Sequence, residues 1–172
     1  NGHEVWIVSA SPQAFVEVVA KEAGLQRVIG VRGVVRGGRY TGELESCGDA
    51  RANSLIPFDR GKRCWINKVI FGLPPAQRRG RAPTATRQRF AAGDSDTDIA
   101  FLQDATDLKL TIDRHKVQLQ CNAYANGWLV QPMFIEPLPR RTEPYPCATA
   151  TDAEGAIILD EHDRPMADQL AR

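Results

Sequence analysis

An α/β domain with a mostly parallel sheet is predicted by three observations. Five short apolar-rich runs, at 5–9, 27–32, 90–93, 108–113 and 128–134, have the length and makeup of buried strands. Segments with apolar residues at helical spacing stand between them, at 13–24, 61–72, 96–105 and 115–126. Glycine, proline and acidic residues sit at the junctions. Strands that alternate with helices pair in parallel, because each helix carries the chain back to the starting edge of the sheet.

The elements follow in order. "VWIVS" (5–9) is the first strand, and Ser11-Pro12 reads as a helix start with Pro12 at the first helical position. "QAFVEVVAKEAG" is that helix, stopped by Gly24. "RVIGVR" (27–32) is the second strand. "VVRGGRYTGEL" (34–44) reads as a hairpin turning at Gly37-Gly38. "GKRCWINKVIFG" (61–72) is a helix with Trp65, Ile66, Val69 and Ile70 as its apolar positions. "RRGRAPTATRQR" (78–89) has no periodicity and reads as an exposed basic loop with nothing to bury. "FAAG" (90–93) is a core strand, "DTDIAFLQDA" (96–105) a helix and "LKLTID" (108–113) a strand. "HKVQLQCNAYAN" (115–126) is helical and "WLVQPMF" (128–134) is the last strand. Residues 1–136 thus form the core. Residues 137–172 turn proline-rich and polar, with a small hairpin expected over 156–166 around His162-Asp163.

Composition narrows the classes of function. The chain has 172 residues, enough for a real core, and a net charge of +1 from 22 basic and 21 acidic residues. That balance argues against nucleic acid or an anionic membrane as a bulk electrostatic partner. No apolar run is long enough to span a bilayer. The N-terminus "NGHEVWIVSASP" has no signal-peptide pattern and enters a strand almost at once, as the interior of a longer protein would. Cys47, Cys64, Cys121 and Cys147 lack the spacing of a zinc site; two disulfides and buried free thiols both fit them.

Chemistry gathers where strands end. In parallel sheets ligands lie beyond the carboxyl ends of the strands. Ser9-Ala10-Ser11 follows the first strand and Gly93-Asp94-Ser95 follows "FAAG". Ser9, Ala10 and the following amides suit a phosphate. Asp94 and Asp98 suit a hard cation such as magnesium. Lys62 opens its helix and adds a positive charge. Each feature also has a plain structural reading. Asp-x-x-x-Asp at a helix start serves as a cap and dipole partner, Ser-x-Ser-Pro as a cap, and a single lysine as a solvated charge. Their order and their shared position at strand ends favour a site.

These residues resemble the haloacid dehalogenase superfamily of hydrolases, in its phosphoserine-phosphatase-like branch. "VWIVSAS" is similar to the second motif, with Ser9 in the serine or threonine place. "GKRCWINKVI" is similar to the third, with Lys62 in the lysine place. "AAGDSDTDIAFL" is similar to the fourth, Gly-Asp-x-x-x-Asp, with Asp94 and Asp98 as its acids. The 28–44 stretch resembles the branch's hairpin ending in Thr-Gly, and 114–137 resembles a segment of its bacterial hydrolases. The likeness runs over residues 3–137 and implies a Rossmann-like three-layer sandwich with a small β-hairpin. It implies a magnesium-dependent phosphatase that acts on a small phosphorylated metabolite through an aspartyl-phosphate. Ser9, Ala10 and Lys62 would bind phosphate, with Lys62 also offsetting its developing charge; Asp94 would bind the metal directly, and Asp98 would bind it through water or position Lys62.

The first motif, Asp-x-Asp, supplies the family's nucleophile and acid/base, and no such sequence precedes Ser9. The chain is therefore expected to lack that strand and the cap, and to need its own N-terminal segment as a partner. Two other readings are a catalytically silent fragment or pseudoenzyme, and an anion- or nucleic-acid-binding module built on the arginine-rich loop 78–89. Substrate identity, oligomeric state and compartment stay open, with the cytoplasm preferred over the periplasm.

Overall fold

The computed structural model describes residues 2–48, 55–135, 138, 139, 145 and 147. The chain divides into two compact units, Asn1–Thr86 and Arg87–Arg172. Both are mixed α/β, with parallel pairing except for one hairpin, which is the fold class the sequence predicts.

The first unit opens with a strand–helix–strand turn. β1 (Ile7–Pro12) pairs in parallel with β2 (Val28–Val31), and α1 (Gln13–Glu22) connects them. Val16 and Ala20 of α1 bury against Val28, with Ile7 and Leu25 at the margin, because these positions fall on one helical face. The Gln13 side chain ties α1 to β2 by accepting the Gly30 amide at 2.6 Å. β3 (Gly33–Arg36) and β4 (Arg39–Leu44) form the expected antiparallel hairpin around Gly37-Gly38, both at positive φ. α2 (Arg60–Val69) lies against β1 and β2 and buries Cys64, Trp65 and Ile66.

Two expectations for this unit change. β1 runs on to Pro12 rather than ending at Ser9, with a register shift between Val8 and Pro12. The Ser9 hydroxyl accepts the Ser11 amide at 3.1 Å within this irregular stretch, and Pro12 is the residue before α1 and not its first turn. The basic loop is also less detached than its composition suggests. The Asn67 side-chain amide donates to the carbonyls of Arg78 (2.9 Å) and Gly80 (3.1 Å), while the Arg78 guanidinium donates to the Leu73 carbonyl at 2.8 Å. Leu73 and Ala82 are buried.

The second unit repeats the same connection twice. β5 (Phe90–Gly93), β6 (Leu108–Asp113) and β7 (Leu129–Pro132) lie parallel in that order, linked by α3 (Ile99–Asp104) and α4 (Val117–Ala125). Gly93 is level with Thr111, and Thr111 with Val130. Ile99, Phe101, Leu102, Leu119 and Ala123 supply the core. Among the described residues, β1 has β2 as its hydrogen-bonded neighbour and β5 has β6; neither has a second.

All four cysteines pair: Cys47 with Cys64, Cα atoms 6.0 Å apart, and Cys121 with Cys147, 5.4 Å apart. The first bond fastens the segment after β4 to α2. The second fastens Cys147 to α4, where it packs with Tyr145 against Ala125. The expected hairpin at 156–166 lies outside the described residues.

Candidate functional site

The three acids after β5 do three different jobs. Asp98, buried at 4% exposure, turns its carboxylate back under the strand end. Its Oδ2 accepts the backbone amides of Asp94 (2.9 Å) and Ser95 (3.0 Å). Ser95 caps the 3-10 turn over Asp96–Asp98 by accepting the Thr97 amide, so Ser95 and Asp98 form a reciprocal capping box. Asp96 reaches α4, where its Oδ1 accepts the Leu119 amide at 2.8 Å. That amide is in the first turn of α4, which has no cap of its own from Lys116. Asp94 is left at the carboxyl edge of the sheet, half-exposed, with its Oδ2 2.6 Å from Nη1 of Arg114.

Glycine at 93 makes this turn possible. A Cβ there would lie 2.6 Å from Asp98 Cβ and 2.8 Å from Asp98 Oδ2. The carboxylate can fold under the strand end only if position 93 has no side chain.

β6 completes this edge. Asp113, its last residue, accepts the His115 amide (2.9 Å) and the Tyr145 hydroxyl (2.6 Å) on the same Oδ1. His115 has a positive φ of 57°, which turns the chain sharply after β6 and leaves Arg114 at the bend. Tyr145, brought in beside the Cys121–Cys147 bond, is buried, with its ring centroid 6.2 Å from that of Tyr124 and the two rings tilted by 38°.

The remaining predicted residues lie in the first unit. Ser9 and Ala10 sit within β1, Ser9 half-buried and Ala10 exposed. Lys62 is in the first turn of α2 and buried at 7% exposure. Its position is set by Gly61, where a Cβ would lie 1.9 Å from the Ile56 carbonyl oxygen. The carbonyl packs directly on the helix start, and the Trp65 indole N–H donates to the Leu55 carbonyl at 2.7 Å. One turn later, burial and then the nearby Arg78 charge lower the Lys68 pKa; its ammonium donates to the Ser46 carbonyl at 3.1 Å and lies over Trp65. The structure thus brings Asp94 and Asp98 into one turn, and sets Ser9, Ala10 and Lys62 on packed elements of the other unit.

The donor chemistry suits a hard divalent cation. Asp94 offers a half-exposed carboxylate oxygen, and magnesium commonly takes one or two carboxylates and completes its shell with water and substrate phosphate. Among the described residues, no group of three or more His, Cys, Asp or Glu is arranged to hold a metal alone. Arg114, Gly61 and Tyr145 were not anticipated. A basic residue directly after the "LKLTID" strand was the available signal for Arg114.

A family model described as "HAD: haloacid dehalogenase-like hydrolase" matches residues 1–103. A crystal structure of a protein with unknown function from Bordetella pertussis Tohama I is similar at TM-score 0.55 and 24% identity; the match covers 75% of this chain and 51% of that one. A likeness at this identity speaks to the fold. No curated protein matches.

Proposed function

Because the chain belongs to the haloacid dehalogenase-like hydrolases, we propose that it is the later part of a magnesium-dependent phosphatase of the phosphoserine-phosphatase-like branch. Its substrate would be a small phosphorylated metabolite. One observation carries this reading: the buried Asp98 carboxylate clamps the turn that presents Asp94 at the carboxyl edge of β5. The capping box accounts for Asp98 but not for an acid at 94, whose backbone amide is all that the clamp uses.

In this reading Asp94 holds the metal and Asp98 fixes the turn that aims it. Magnesium, when bound, supplies positive charge to the phosphoryl oxygens. The Ser9 hydroxyl oxygen accepts the Ser11 amide, which leaves its proton to donate to a phosphoryl oxygen; the exposed Ala10 beside it would add a second contact. Lys62 offsets charge that develops on the phosphoryl group. The attacking carboxylate and the acid that protonates the departing alcohol belong to an Asp-x-Asp that does not occur upstream of Ser9. We assign both to a segment outside these residues.

The test is turnover of p-nitrophenyl phosphate by the full-length protein with magnesium. Asp94→Asn should lower turnover by about a hundredfold or more, and chelation should abolish it. Turnover indifferent to both would overturn the reading. A full-length sequence without an upstream Asp-x-Asp would favour the silent homologue. The two disulfides further support an oxidising compartment such as the periplasm over the cytoplasm. Free thiols trapped by alkylation in cells would count against that placement.

A further inference from the structure

We propose that Arg114 is a resident counter-cation for Asp94 that a divalent ion must displace, so that Arg114 sets the metal affinity of this edge. The inference rests on Asp94 as the metal ligand. The pair is short, 2.6 Å, and both of its partners are positioned in advance. Asp94 is fixed through its own amide, which donates to Asp98. Arg114 is fixed by the bend after β6, where Asp113 accepts both the His115 amide and the Tyr145 hydroxyl.

A guanidinium stays protonated at any working pH, so it screens the Asp94 carboxylate whenever metal is absent. The side chains of the pair are 48% and 45% exposed, so the contact is weak enough for a doubly charged ion to break. Its charge also repels that ion at short range. The same two strands carry a comparison at their other end. Arg89 precedes β5 and Asp107 precedes β6, and they pair at the same 2.6 Å, with the acid equally exposed and the arginine more so, at 71%. That clip stands at the amino edge of a parallel sheet, where ligands are not expected.

The experiment is calorimetric titration of magnesium into the metal-free full-length protein. Arg114→Gln should tighten binding by roughly three- to tenfold, from loss of competition and repulsion. Arg114→Lys, which keeps the charge, should stay near the unsubstituted protein, and Arg89→Gln should leave affinity unchanged. Unchanged or weaker binding in Arg114→Gln overturns the proposal, as does equal tightening in Arg89→Gln, which would make the effect one of net charge. Asp94→Asn separates the two readings. If it weakens binding while Arg114→Gln fails to tighten it, only this inference falls. If it leaves binding unchanged, the metal assignment falls with it.

Discussion

Replacing Gly93 with alanine tests whether the turn after β5 is held by crowding as well as by hydrogen bonds. The backbone at 93 is outside the left-handed region, so alanine can adopt it and the cost is steric. The new Cβ would stand 2.6 Å from Asp98 Cβ and 2.8 Å from both Cγ and Oδ2. Asp98 is buried and cannot swing into solvent, so it must back away from the amides of Asp94 and Ser95. A hydrogen bond to a charged group contributes about 1.5–3 kcal/mol, and overpacking a tight site costs about 1–3 kcal/mol. Weakening both amide bonds while relieving part of the overlap gives a loss of about 3–4 kcal/mol, a large share of the roughly 5–15 kcal/mol that a domain has. For a chain of this size that lowers Tm by roughly 10 °C. Differential scanning calorimetry of Gly93→Ala beside Gly80→Ala is the assay, since a Cβ at Gly80 meets nothing within 4 Å. If the two variants melt within about 1 °C of each other, the packing argument for the turn is wrong.

Two further outcomes follow from single side chains. Asp96→Ala should cost about 1 kcal/mol, the usual worth of a helix cap, and leave magnesium affinity unchanged; a calorimetric loss of affinity would mean that Asp96 is itself a ligand. The Thr106 hydroxyl, and after it the Arg89 guanidinium, hold the Asp107 carboxyl below the ordinary range. A depressed carboxyl stabilises above its unfolded pKa and loses that effect as pH falls through the folded one. The Tm gap between the protein and Asp107→Asn should therefore be widest near neutrality and close in acid, and a gap that widens in acid would refute this.

Much of the secondary structure was legible because it depends on local pattern. β2, β5 and β6 are short runs between strong breakers, and the Gly37-Gly38 turn has one favoured geometry. The end of β1 was not legible, since a serine hydroxyl bonding two residues ahead leaves no periodic trace. The Asp94 and Asp98 spacing pointed to a strand end, but not to which acid is buried. That depends on the missing side chain at 93 and on two amides that only the folded turn supplies. Contacts across sequence were the least visible. Gly61 is explained by the Ile56 carbonyl, and Arg114 by an acid 20 residues earlier. The four cysteines allowed pairing or none, because spacing alone does not bring Cα atoms together.

The reach of Asp96 to Leu119 has a meaning for how the chain is made. The two residues are 23 apart, and the acid is synthesised first. The turn after β5 can form from its own neighbours, Ser95 and Asp98, before any of α4 has left the ribosome. When α4 emerges, the acceptor for one of its orphan amides is already in place, so the turn acts as a seed for the helix that follows. A cap formed in this order would be in place in the folding transition state. Its loss should then appear as slower refolding and hardly at all as faster unfolding.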